Sequence, residues 1–222
     1  MTLTVAEENY IKAIYKLENQ HAKATTNGLA ALLQTSPAAV TDMANRLQKK
    51  KLISYEKYYG LKLTPSGKKH AMHIIRRHRL WECFLVEKLG FGWDEVHHLA
   101  EELEHIRDER LIERLAHFLQ YPSFDPHGDP IPDAAGSIKA APHIPLSHAP
   151  VQQPLKVAGV ADQSAALLRF LQQKGIALGT KLRVLQIHEY DGSVEIKLLK
   201  QSPFTLSQQV ANNIYVQTYG KN

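Results

Sequence analysis

Two runs of this 222-residue chain hold imidazole and carboxylate side chains at helical spacing. His78 and Glu82 are four residues apart in Arg76-Arg77-His78-Arg79-Leu80-Trp81-Glu82, and His97, Glu101 and His105 keep the same step in His97-His98-Leu99-Ala100-Glu101-Glu102-Leu103-Glu104-His105. On a helix each set shares one face. Two helices with facing ligands of this kind make a divalent-metal site. Surface helices also carry Glu and His without any metal, so the surrounding elements must decide the reading. The single cysteine, Cys83, sits beside Phe84, Leu85 and Val86 and is read as a packed thiol.

The elements upstream form a recognisable order. Tyr10, Ile11, Ile14, Tyr15 and Leu17 give an amphipathic helix, and Thr26 caps a second, short one. After Thr35-Ser36-Pro37, with Ser36 as cap and Pro37 at the first helical position, a third helix is predicted from Pro37 to about Lys50. Val40, Met43, Ala44 and Leu47 face inward, leaving Ala38, Ala39, Thr41, Asp42 and Arg46 outward. The alternating stretch from Leu52 to Thr64, broken by Gly60, reads as a two-stranded hairpin. This is a winged helix-turn-helix, with Ser36, Pro37, Ala38, Ala39, Thr41, Asp42 and Arg46 offered to DNA by the third helix and Lys57 and Tyr58 by the wing. Charge agrees: residues 1–79 hold 14 Lys and Arg against 5 Asp and Glu, a surplus of +9 in a chain of net +5. A basic end points to a polyanion.

A long helix from Pro65 or Ser66 to about Leu89 then links the wing to the metal-ligand runs, and Asp108 opens a further helix through Leu119. Their apolar stripes exceed what one thin layer needs, which predicts a homodimer on a palindromic double-stranded DNA operator. Most of the chain's 11 prolines lie between Pro122 and Pro154, so an extended connection is expected there. Beyond it, a helix from Asp162 to Leu171 and a hairpin across Asp191-Gly192 predict a small barrel. The expected class is α+β, mostly α. Its domains are a winged helix-turn-helix (1–72), a helical metal-binding and dimerisation domain (73–140), a Pro-rich linker (141–154) and an SH3-like domain (155–222). With no apolar run of membrane length and no signal-peptide pattern, a cytoplasmic protein is expected.

The order of winged helix, His-Arg-Leu-Trp-Glu, the His97–His105 run and Pro126-His127-Gly128-Asp129-Pro130-Ile131-Pro132 resembles the diphtheria-toxin-repressor family of metal-dependent transcriptional regulators, over nearly the whole chain. Ser36-Pro37-Ala38-Ala39-Val40-Thr41 and Tyr55-Glu56-Lys57-Tyr58-Tyr59-Gly60-Leu61 are similar to its manganese-responsive branch. The resemblance implies one metal site on Glu101, Glu104 and His105 with Asn9, where family members carry Asp or Met, and Glu8 as the alternative from the same turn. Lys12 stands where the manganese branch has an acid. A second implied site comprises His78, Glu82 and His97, joined by Gln163 and Asp162 from the C-terminal domain; Val160 replaces a family carboxylate. Position 101 is a thiol in some iron-responsive members and Glu here, which favours Mn(II) first and Fe(II) second. Repression of metal-uptake genes is the implied function.

Two other classes fit parts of the chain. A di-metal carboxylate enzyme needs two Glu-x-x-His motifs, and only Glu102-x-x-His105 is present. A winged-helix and SH3-like adaptor for protein partners leaves the His and Glu constellation unused. No membrane partner and no small-molecule substrate are expected.

Overall fold

A computed structural model describes residues 2–19, 23–56, 60–138, 143–199 and 201–219. Its chain divides into two compact units: residues 1–78 with 101–112 and 132–138, and residues 79–100 with 113–131 and 139–222.

In the first unit α1 (Val5–Asn19), α2 (Thr26–Leu32) and α3 (Pro37–Lys49) precede the hairpin of β1 (Ile53–Glu56) and β2 (Gly60–Leu63). Ile11, Ile14, Leu29, Val40 and Leu47 are wholly buried in one core with Leu52, Leu63 and Ile74. Side-chain caps set the helix starts: Thr25, one residue before the expected cap, accepts from Gly28 N, and Ser36 accepts from Ala39 N with Pro37 behind it. The hairpin register pairs Ile53 with Leu63 and Glu56 with Gly60, whose φ of +86° suits glycine. Thr64 begins α4 (Pro65–Leu89) by accepting from Gly67 N, and a Cβ on Gly67 would stand 2.0 Å from the Leu52 carbonyl oxygen. The helix-turn-helix and wing therefore stand as expected, except that Lys57 and Tyr58 lie outside the described residues.

The helices α5 (Val96–Leu103) and α6 (Glu109–Phe118) follow. Asp108 opens α6 by accepting from the backbone of Arg110 and Leu111. In the second unit β3 (Ile144–Pro145), β4 (Pro154–Val160), α7 (Ala165–Gln173), β5 (Lys181–Ile187), β6 (Val194–Leu198), β7 (Phe204–Leu206), α8 (Gln208–Asn212) and β8 (Ile214–Thr218) build a six-stranded antiparallel sheet in the order β3-β8-β4-β5-β6-β7. Breaks in register at Val157/Gly159 and Val184/Gln186 bend it.

The connection expected over 141–154 differs. Ile144 pairs with Val216, and Leu146 and Ala149 are buried in the same core as Val157, Leu168 and Ile196. Proline removes a donor but not an acceptor, so an edge strand tolerates Pro145. The apolar residues between the prolines carried the strand signal. Among the described residues no helix is long and apolar enough to cross a membrane.

Candidate metal centres and nucleic-acid interface

Each unit gathers its own cluster of buried charge. In the first, α1 presents Glu8, only 4% exposed, to three cationic or protonatable partners: Arg77 Nη2 at 3.1 Å, Arg107 Nε at 3.0 Å and His105 Nδ1 at 2.6 Å. One turn later Lys12 Nζ donates to both oxygens of Glu104, at 2.7 and 3.0 Å, and stands 3.6 Å from Glu101 Oε1. His78 Nδ1 reaches Glu104 Oε2 at 2.6 Å, and Arg77 Nε donates to the Glu104 carbonyl. Burial alone would push the Glu104 carboxyl up, but the His78 hydrogen bond and the Lys12 charge outweigh it and hold it below the usual carboxylate range.

In the second unit Glu82 of α4 is 1% exposed and lies between two imidazoles, with His97 Nδ1 at 3.2 Å and His127 Nδ1 at 3.6 Å. Asp125 and His127, 2% and 1% exposed, come from the proline-rich loop. One donor atom each from Glu82, Asp125 and His127 lie within 4.8 Å of one another. His127 Nε2 donates to the Trp93 carbonyl at 2.7 Å, and the two rings stack. That bond fixes the proton of the neutral ring on Nε2 and leaves the Nδ1 lone pair facing the carboxylates, where it is buried with no hydrogen-bond partner. An orphaned imidazole nitrogen between two buried carboxylates is the donor set of a hard-to-borderline divalent cation.

Protons neutralise this cluster as it stands. Burial would lower the His127 pKa, but Glu82 and then Asp125 reverse this and raise it to about 9. Asp125 is raised above the carboxylate range by burial and by the charges of Glu82 and Asp129, although Arg79 opposes the shift. Arg79 ties the loop down through Asp129 Oδ2 at 2.9 Å and the Pro130 carbonyl. The loop also docks on β4. Val160 N donates to the His127 carbonyl at 2.9 Å, and a Cβ on Gly128 would stand 2.1 Å from the Ala158 carbonyl oxygen.

Several expected ligands are placed elsewhere. Asn9 is exposed, and Glu8, its neighbour, turns into the first cluster, because α1 buries the face of Glu8, Ile11 and Lys12 rather than that of Asn9. Asp162 is spent on the start of α7, accepting from Ser164 N and Oγ, and Gln163 Nε2 donates to Asp129 Oδ2 at 3.1 Å, so it braces the loop. His105 lies beyond the end of α5, so Glu101 and His105 do not share its face. Glu101 has a half-exposed side chain that meets Lys12. Among the described residues of the first unit no three His, Cys, Asp or Glu side chains converge as Glu82, Asp125 and His127 do. Sequence reasoning missed Asp125 and His127 as ligand candidates, although they flank Pro126 in the loop that carried the family resemblance. Cys83 is excluded as a ligand: its buried Sγ–H points to the Phe124 carbonyl, and burial pushes the thiol far up.

On the first unit Ser36, Pro37, Ala38, Thr41, Asp42 and Arg46 are exposed on and around α3 and Ala39 is half-buried. Thr41 Oγ1 donates to the Pro37 carbonyl at 3.0 Å. This is a short, weakly basic helix surface whose exposed cations are Arg46 and Lys49.

Comparison with known proteins agrees with this architecture. Residues 2–61 match the iron dependent repressor N-terminal DNA binding domain, residues 64–133 the iron dependent repressor metal binding and dimerisation domain, and residues 144–218 the FeoA domain. The HTH-type transcriptional regulator MntR of Geobacillus thermodenitrificans (strain NG80-2) is 36% identical over 118 residues, 53% of this chain and 83% of that protein. The chain belongs to the iron-dependent repressor family. The iron-dependent repressor IdeR of Mycobacterium leprae (strain TN) is 34% identical to this family member over 125 residues, 56% of this chain and 54% of IdeR. A solved manganese-dependent transcriptional repressor, in complex with manganese, superposes with a TM-score of 0.83 at 33% identity, covering 96% of this chain and all of that one. The FeoA match begins at residue 144, where β3 begins. This repressor-family chain thus has a winged helix-turn-helix, a metal-binding and dimerisation domain and an SH3-like domain, in that order.

Proposed function

We propose that this chain represses metal-uptake genes in the cytoplasm, binding a palindromic operator as a homodimer when loaded with Mn(II), or second to it Fe(II), and that it is a regulator and not an enzyme. The observation that carries the reading is the buried convergence of Glu82, Asp125 and His127, with His127 Nδ1 beside the two carboxylates and without a hydrogen-bond partner. Glu82, Asp125 and His127 hold the ion of the second unit, with His97 on the rim of that donor set. Glu104 and His105, with Glu8 and Glu101, hold the ion of the first. Oxygen and imidazole donors without thiolate favour Mn(II) and Fe(II) in the cell, although other divalent ions bind such a set in vitro. A bound divalent ion supplies positive charge where carboxylates converge.

The protein's own residues then do the coupling. Glu8 and Lys12 on α1 join the helix-turn-helix core to Arg77, Glu104 and His105, so the position of α1 reports the state of the first cluster. Ordering α1 and the dimer before DNA arrives removes an ordering penalty from binding. Arg46 and the cap of α3 contact the operator, with Lys57 and Tyr58 of the wing on flanking phosphate.

The test is fluorescence anisotropy of a labelled promoter fragment from beside the protein's own gene, titrated anaerobically at fixed salt with metal-free protein and with Mn(II) or Fe(II). Metal is expected to tighten binding at least about tenfold. Equal binding with and without metal would reduce the centres to structural ones, and absence of specific binding would leave an adaptor for protein partners.

A further inference from the structure

We propose that Lys12 is an internal competitor for the cation of the first cluster and sets the metal concentration at which that cluster loads. The proposal takes from the reading above only the class of ion, a divalent cation of the Mn(II) kind.

The lysine occupies the cation's place. Its Nζ is 2.7 and 3.0 Å from the two Glu104 oxygens, 3.6 Å from Glu101 Oε1 and 3.4 Å from His78 Nδ1, which are all potential metal donors. The cluster is balanced without metal: Glu8, Glu101 and Glu104 are met by Lys12, Arg77 and Arg107. These three cations are not equivalent. Arg77 is buried and is held at two places, on Glu8 and on the Glu104 carbonyl, so it cannot leave without stranding both. Lys12 is a point charge on a flexible stem, and its side chain is 22% exposed, whereas Glu104 is 1% exposed. Arg107, whose side chain is 33% exposed, reaches Glu8 and not Glu104, so of the cations on Glu104 it is Lys12 that has a way out.

Competition follows from charge. A divalent ion reaching Glu104 must first displace the ammonium, because two cations on one buried carboxylate repel at short range. The apparent affinity is then the intrinsic one reduced by the fraction of molecules in which Lys12 has swung away. In the metal-free protein the same contact holds α1 against Glu104, so Lys12 both delays loading and keeps the empty cluster folded.

The experiment uses full-length protein carrying Glu82→Gln, which silences the second cluster, with Mn(II) as the probe. Uptake is followed by calorimetry and by the EPR signal of free Mn(II). Adding Lys12→Met, which keeps the stem and removes the charge, is expected to tighten Mn(II) binding about tenfold or more. It should also lower the melting temperature of the metal-free protein by several degrees, since Glu104 is left buried without its cation, and Mn(II) should restore it. Lys12→Arg keeps the charge and is expected to keep the parent affinity. Unchanged or weaker Mn(II) binding by the folded Lys12→Met protein would overturn the proposal, as would no uptake with either side chain. Loss of metal-stimulated operator binding in the unmodified chain would sink the regulator reading and leave this result standing.

Discussion

The two charge clusters solve the same problem with different cations. Around Glu8 and Glu104 the negative charge is met by the side chains of Arg77, Arg107 and Lys12. Around Glu82 and Asp125 it is met by Arg79 and by protons, with His127 raised to about 9. A proton leaves whenever a better cation arrives; a guanidinium does not. The second cluster is therefore the one that a metal enters readily by exchanging with protons, and the first is the one that holds α1 in place before metal comes.

The sharpest break of this contrast is a pair of isosteric changes. Glu8→Gln removes the carboxylate from two guanidinium groups and His105 and leaves buried Arg77 with the Glu104 carbonyl but no carboxylate partner. Unfolding by urea in chelator is expected to show a loss of about 4 kcal/mol. Glu82→Gln instead removes one of two buried like charges. It is expected to leave metal-free stability far less changed while abolishing Mn(II) uptake at the second cluster. Equal losses from the two substitutions would mean that the clusters are not different in kind.

Acidity sharpens the comparison next. His127 binds its proton more tightly folded, at about 9, than the ordinary 6.5 of an unfolded histidine. Its contribution is therefore fully present below about pH 6.5 and is lost as pH rises towards 9, by at most about 3 kcal/mol. Metal-free protein should thus weaken over that window in urea melts, whereas saturating Mn(II) should flatten the curve, because the ion takes the proton's place on Nδ1. His127→Gln should flatten it without metal. A metal-free profile that stays level from pH 6.5 to 9 in the unmodified chain would contradict the proton-filled description.

How far the residues alone foretold these centres differs between them. The helix-turn-helix was legible because caps and apolar spacing are local: Ser36, Pro37, Val40 and Leu47 say where α3 starts and which side is buried. Glu82 and His97 were legible as ligand candidates by spacing. Asp125 and His127 were not, since no periodicity applies to a loop, and their burial comes from contacts with Arg79, Trp93 and Val160 that are distant in sequence. The 141–154 stretch was misread for a related reason: proline content spoke for an extended link, whereas the pairing of Ile144 with Val216 needs a partner strand some 70 residues later. Spacing alone does not decide between Asn9 and its alternative Glu8, because adjacent helical positions differ by only about 100° of rotation, and tertiary packing decides which points inward.

That choice gives the gentlest test. Asn9 is exposed on α1, whereas Glu8 is 4% exposed and bonded to three partners. Asn9→Ala is therefore expected to change Mn(II) affinity less than about twofold and stability by less than about 0.5 kcal/mol, the range of an ordinary surface substitution. Calorimetric titration of Mn(II) into the variant checks it. A large drop in affinity would show that α1 turns Asn9 inward when metal binds. The N-terminal helix would then rotate as well as tighten, and the lysine contact with Glu104 would break as part of the same motion.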